Sequence, residues 1–155
     1  MKNGFLLGCV AFLLLNAAVY SQTGTWSQDY SKAAALAKSS GKILLMDFSG
    51  TDWCPWCIKL DKEVFSQKAF QDYAKKNLVL FLADFPRQKQ LSEKVVKQNE
   101  ALSEKFKIEY FPTVVLLSPK GERIGQTGYQ PGGAAAYVKH LKELIAQNKQ
   151  GKKVI

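Results

Sequence analysis

Three short apolar runs, at residues 43–48, 78–83 and 114–117, are separated by stretches whose apolar residues recur at helical spacing. This alternation constrains the fold more than any other feature of the chain. Runs so short, bounded by turn or charged residues, suit buried strands. Strands separated by helices pair in parallel through right-handed crossovers. The helical stretches begin with Tyr30–Ser40, alanine-rich and stopped by Gly41. Ile58, Leu60, Val64 and Phe65 mark a second helix, and Ser66 suits the cap of a further piece that turns Phe70 and Tyr73 inward. An amphipathic pattern runs through Leu91, Val95, Val96, Leu102 and Phe106, and residues 134–145 make a closing helix. Pro119-Lys120-Gly121 forms a turn that lets residues 122–127 return as an antiparallel partner. The expected class is α/β: a central mixed β-sheet flanked by helices on both faces.

Between the first apolar run and the helix that follows it stands Cys54-Pro55-Trp56-Cys57. Two cysteines at this spacing serve either as a dithiol switch or as half of a metal site. A closed zinc site takes four ligands, and beyond this pair the nearest further candidate is His140, in a lysine-rich helix, which reads as a surface residue. No metal is therefore expected. A thiolate rather than a thiol attacks a disulfide, so the useful cysteine is one whose pKa is lowered. A helix N-terminus does this with unpaired amide N–H groups and the positive end of its dipole. Cys54 would occupy that end, exposed, with Pro55 at the first helical position, where no amide hydrogen is needed. Cys57 would follow one turn later, partly buried. These positions make Cys54 the attacking nucleophile and Cys57 the resolving thiol, with no cofactor beyond a redox-active Cys54–Cys57 disulfide. Trp53 and Trp56 flank the pair, as packing residues, as an apolar platform for substrate peptides, or as both.

The N-terminus bears on the compartment. Lys2, an apolar stretch at residues 5–15 and small residues at 16–21 form the three parts of a secretory signal peptide, cut after Ser21. The apolar stretch is shorter than the roughly 20 residues that span hydrocarbon, although extension through Tyr20 leaves an uncleaved anchor as the alternative. Leu6-Leu7-Gly8-Cys9 resembles a lipid-attachment motif, but most of the apolar stretch follows Cys9 instead of preceding it. The expected organisation is a signal peptide at 1–21, an exposed lead-in at 22–29, one domain at 30–148 and a frayed tail at 149–155. A domain of that size supports a core without disulfide staples, so one close cysteine pair in an exported chain suggests a working dithiol. The net charge of +9 comes largely from lysines that alternate with acids along helical stretches, as on a solvated face. No nucleic-acid motif accompanies it, and no nucleic-acid partner is expected.

Asp47-Phe48, Trp53-Cys54-Pro55-Trp56-Cys57-Ile58-Lys59, Tyr110-Phe111-Pro112-Thr113 and Gly128-Tyr129 together resemble the thioredoxin superfamily. More narrowly, the chain resembles the exported thioredoxin-like proteins of bacterial envelopes, close to the Dsb-type periplasmic reductases (DsbH-like), over residues 28–146. The resemblance implies a thioredoxin fold and a cis bond before Pro112, lying against the dithiol with its flanking backbone, Phe111 included, open to an incoming peptide. Trp53, Pro55, Trp56 and Phe111 are then the substrate-contacting set. Asp47 matches the buried acid of thioredoxins, with Ser49-Gly50-Thr51-Asp52 making the connection to the cysteines longer by one residue. Buried behind Cys57, it would have a raised pKa and accept the resolving thiol's proton; pointing outward, it would be a strand-edge charge.

Pro55-Trp56 brings no charge to stabilise the Cys54 thiolate, which favours a reducing potential and a disulfide reductase. An oxidase or isomerase using the same residues, and a binding module with a structural disulfide, stand as the alternatives. The resemblance further implies a periplasmic location, disulfide-containing envelope proteins as substrates and an inner-membrane electron donor of the DsbD type. No dimerisation segment is visible, and a monomer is expected.

Overall fold

The computed structural model describes residues 25–149. The expected signal peptide and residues 150–155 of the expected tail lie outside the described residues.

The first helix, α1 (Tyr30–Ser40), starts where the Asp29 carboxylate accepts the Lys32 N–H, and ends at Gly41 with φ 69°, a left-handed turn open to glycine at little cost. Its alanines allow close approach to the sheet. Strand β1 (Ile43–Ser49) follows, then α2 (Pro55–Leu60), which relaxes into one π turn over Asp61–Phe65. Such a turn lets a helix change the face it presents without stopping. Next come α3 (Lys68–Asn77), β2 (Leu78–Asp84), α4 (Glu93–Phe106), β3 (Thr113–Leu117), β4 (Arg123–Thr127) and α5 (Gly133–Lys149).

The sheet order is β2-β1-β3-β4. β1 pairs in parallel with β2 and antiparallel with β3, and β4 turns back against β3. Side chains alternate across the central strand. Leu45 joins Leu60, Val64, Phe65, Phe70, Tyr137 and Leu141 in the core beneath α2, α3 and α5. Leu44, Met46 and Phe48 join Ala33, Ala37, Leu102 and Phe106 beneath α1 and α4. The fold is thus a mixed sheet with helices on both faces. The same alternation turns Asp47 toward the α2 side, in register with Leu82 and Val114.

Three local expectations need correction. The lead-in is not free of the domain: the Ser27 N–H donates to the Leu80 carbonyl and the Leu82 N–H to the Ser27 carbonyl, both at 2.9 Å. Trp26 meanwhile packs its ring 5.0 Å from Phe65. Without Ser27, the outer edge of β2 would leave these groups unpaired, and edges of that kind are normally covered. Ser66 does not cap α3. Its hydroxyl turns back to the Asp61 carboxylate at 3.2 Å, and Gln67 holds the cap position with no side-chain bond. The amphipathic helix begins later than Leu91, because the Ser92 hydroxyl accepts the Val95 N–H and fixes the start of α4.

Candidate active site

The chain leaves β1 through Gly50 and turns at once, with the Cys54 N–H donating to the Gly50 carbonyl at 2.9 Å. The turn brings Trp53 back over Gly50, where a Cβ would lie 2.5 Å from the indole, so any larger side chain there requires the ring to move. Cys54 then stands at the N-cap of α2 in extended conformation, and its sulfur accepts the Cys57 N–H at 3.2 Å. Pro55 occupies the first helical turn. Cys54 and Cys57 are joined as a disulfide with their Cα atoms 5.2 Å apart. The expectation of an exposed Cys54 needs correction, since both cysteines are only 4% accessible. The reason is tertiary: Trp53 and Trp56 on one side and the segment ahead of β3 on the other form walls around the first sulfur.

Two cavities meet at the disulfide. The outer groove, about 400 Å³, is lined by Trp53, Cys54, Pro55 and Trp56 against residues 108–111. The inner cavity, about 280 Å³, holds Asp47, Ser49, Thr51, Cys57, Asp61 and Lys89 among its walls. Cys54 therefore faces the groove and Cys57 the interior. The Gly50 N–H points at the Cys57 sulfur, 3.5 Å away.

Asp47 is buried, and its Oδ1 has no hydrogen-bond partner. Burial pushes its pKa up to about 8, the nearby charges of Asp61 and Asp84 add to the rise, and the Ser49 hydroxyl opposes it. An unpartnered carboxylate oxygen inside protein is costly when ionised, so the proton is held to unusually high pH. The longer connection after Asp47 does not separate it from Cys57, because both line the inner cavity.

On the far wall of the groove the Phe111–Pro112 bond is cis. Phe111 stacks on Phe85 with ring centroids 5.0 Å apart and meets Trp53 edge-on at 6.2 Å. Gly128 backs this turn closely, since a Cβ there would lie 3.0 Å from the Pro112 carbonyl oxygen. Trp56 is 55% exposed and rests against Tyr129 at 5.3 Å. The Lys59 ammonium sits 5.1 Å from each of those two rings. The Tyr129 hydroxyl donates to the Glu63 carboxylate at 2.6 Å, which braces the platform from beneath.

Several of these neighbours escaped sequence reasoning. Lys59 and Glu63 lie four residues apart in a helix and read there as an ordinary charged face. Asp52 gave no signal at all, although its carboxylate accepts the N–H groups of Arg87, Gln88 and Lys89. His140, a surface residue by its lysine-rich sequence setting, is half-buried, 2.9 Å from the Thr127 hydroxyl and edge-on to Tyr137.

Comparison with known proteins places this arrangement. A family model described as a thioredoxin-like domain matches residues 30–145. The disulfide bond reductase DsbH of Chlamydia pneumoniae is 30% identical over 118 residues, covering 76% of this chain and 71% of that protein. The thioredoxin-related protein DsbJ of the same organism is 33% identical over 115 residues, but only 33% of its length is matched. A solved DsbH oxidoreductase superposes with a TM-score of 0.75 at 30% identity, covering 79% of this chain and 84% of that one. A thioredoxin from Thermus thermophilus, at 18% identity and a TM-score of 0.58 over 80% of this chain and 89% of its own, shares the fold. This chain belongs to the thioredoxin-like family, and with Cys54 and Cys57 paired at the head of α2 it has the dithiol of a thiol–disulfide oxidoreductase.

Proposed function

We propose that this thiol–disulfide oxidoreductase works as a disulfide reductase of envelope proteins, exported to the periplasm and recharged there. The observation that carries the reading is the division of labour at the dithiol. The Cys54 sulfur caps α2 and accepts an amide N–H beside an apolar groove, whereas Cys57 opens on a cavity that holds a buried carboxylate.

The cycle starts from the reduced pair. The Cys54 thiolate, favoured by the Cys57 N–H and the helix end, attacks one sulfur of a substrate disulfide seated in the groove. A Cys54–substrate bond forms as the substrate's own S–S bond breaks, and the first substrate thiolate leaves. Cys57 gives its proton to ionised Asp47, and the new thiolate attacks Cys54. The second substrate thiolate leaves and the Cys54–Cys57 bond closes. Two electrons have passed from the protein to the substrate. Trp53, Pro55, Trp56 and Phe111 supply apolar contact beside the reacting sulfur, and the backbone around Pro112 pairs with the substrate chain.

The direction of flow rests on chemistry. Between the cysteines stand Pro55 and Trp56, neither of which carries charge, and a strongly oxidising pair owes its power to an unusually stable thiolate. Asp47, once ionised, further disfavours a second negative charge nearby. The reductase named for the matched relative agrees with this direction. The N-terminal pattern at residues 1–21 supports export, and among the described residues no helix is long and apolar enough to cross a membrane. Outside the cytoplasm a spent reductase needs electrons from across the membrane, so an inner-membrane donor of the DsbD type completes the cycle.

A redox titration against glutathione or dithiothreitol, with insulin reduction as the activity assay, tests the reading. We expect a potential at or below about −200 mV and turnover that disappears in Cys54→Ala. A potential near about −120 mV, the range of strong oxidants, overturns the direction. Absence of insulin turnover in the unaltered protein overturns the catalytic role.

A further inference from the structure

The segment that carries β1 into the dithiol is tied along its length to the loop that leaves β2. The Thr51 N–H and hydroxyl donate to the Asp84 carboxylate at 3.0 and 2.8 Å. The Asp52 carboxylate receives three successive amides, those of Arg87 at 2.9 Å, Gln88 at 2.8 Å and Lys89 at 3.1 Å. The Trp53 indole N–H donates to the Phe85 carbonyl at 2.7 Å, and the Arg87 guanidinium lies over the same indole, 3.8 Å from the ring centroid. Lys89 closes the set by donating to the Thr51 hydroxyl at 2.8 Å.

A loop rarely donates three consecutive amides to one side chain without that side chain determining its path. Hydrogen bonds to an ionised acceptor are about twice as strong as neutral ones, and the Arg87 amide above all holds the Asp52 carboxyl below the usual carboxylate range. The loop so gripped supplies both fixings of Trp53, the Phe85 carbonyl at the indole edge and the Arg87 guanidinium on its face. Trp53 in turn walls the groove next to Cys54. A tryptophan rotates about two side-chain bonds, and with edge and face both held it presents a rigid surface to a substrate.

Given disulfide exchange at Cys54, as proposed above, we propose that Asp52 is a positioning residue for that reaction: its grip on residues 87–89 holds Trp53 as a fixed wall of the substrate groove. Asp52 acts through Trp53 and does not itself touch the reacting sulfurs. Substrate binding is thereby sensitive to a carboxylate outside the groove.

A double-mutant cycle on the full chain tests this, with KM and kcat for insulin reduction measured in Asp52→Asn, Trp53→Ala and the double variant. We expect Asp52→Asn to raise KM by roughly five-fold with kcat within about two-fold, since misplacement of a binding wall costs affinity before it costs chemistry. In the Trp53→Ala background the same substitution should change KM by less than about 1.5-fold, because coupled residues are not additive. Equal fold-changes in both backgrounds overturn the proposal, as does an unchanged KM in folded Asp52→Asn. Should Asp52→Asn fail to fold, Asp52→Glu carries the cycle, its longer side chain displacing the three amides, with a KM rise of about two-fold that again vanishes without Trp53. Hydrogen exchange at the Trp53 indole N–H separates this proposal from the reductase reading. Exchange at least about ten-fold faster in Asp52→Asn supports the positioning role even if insulin is not turned over, and unchanged exchange overturns it.

Discussion

Asp47 of β1 and Cys57 of α2 line one cavity, the acid buried with an unpartnered oxygen and the sulfur on the side of the disulfide away from the substrate groove. The carboxyl therefore keeps its proton until about pH 8, chiefly because it is buried. Below that pH it cannot take a proton from Cys57; above it, it can. Resolution of a mixed disulfide should accelerate as pH rises through about 8, and Asp47→Asn should slow it and leave only the rise set by the thiol's own ionisation. Stopped-flow measurement of the second exchange step across pH 6–10 (roughly the working range of thiol chemistry) checks it. A variant that keeps the same pH profile contradicts the assignment.

The same residue makes a stability prediction. An acid whose pKa is raised on folding binds more protons in the native than in the unfolded state, so stability falls with increasing pH between the two values. Here the window runs from the ordinary 3.8 to about 8. Neutral Asn at position 47 escapes that loss. The melting temperature of oxidised Asp47→Asn, relative to the unaltered protein, should thus climb steadily from pH 4 to pH 8, a range that spans the window. A difference that stays flat with pH, or shrinks, would count against a buried titrating carboxyl.

Gly50 and Trp53 are in close apposition. Alanine at position 50 would place a Cβ 2.5 Å from the indole, and the ring must move to admit it. Overpacking of this kind costs about 1–3 kcal/mol. Urea denaturation of Gly50→Ala should show a loss in that range, together with a raised KM, as the groove wall is displaced. Unaltered stability would mean that the loop yields freely.

Trp56 should behave in the opposite way. Being 55% exposed, it contributes little to folding, yet it lines the groove beside Cys54. Trp56→Ala is expected to shift stability by less than about 0.5 kcal/mol while raising KM for insulin several-fold. Paired melting and kinetic measurements distinguish this from a packing role, which would lower stability and leave KM unchanged.

The parts of the molecule legible in the sequence are those governed by local periodicity. The strand alternation yielded the layers, and Cys54 and Pro55 announced a helix start through residue chemistry alone. What escaped depended on contacts between segments distant in the chain. Cys54 is covered because residues 108–111, brought across by the sheet, wall its groove. Asp52 grips amides more than thirty residues downstream, as its bonds to residues 87–89 show, and no spacing rule reports such a pairing. Ser66 illustrates competition: its hydroxyl had two acceptable partners, and the carboxylate of Asp61 outcompeted the backbone of α3. Trp26 and Ser27 look like solvent-facing linker until β2 is seen to need an edge partner.

Trapping of the exchange intermediate tests the account most directly. The Cys57→Ala chain, reduced and mixed with a disulfide substrate, should accumulate a covalent adduct on Cys54, visible by mass spectrometry, because nothing remains to resolve it. Cys54→Ala should trap none. Adducts found instead on Cys57 of the Cys54→Ala chain, with none on Cys54 of Cys57→Ala, would contradict the assignment of the two sulfurs and the mechanism built on it.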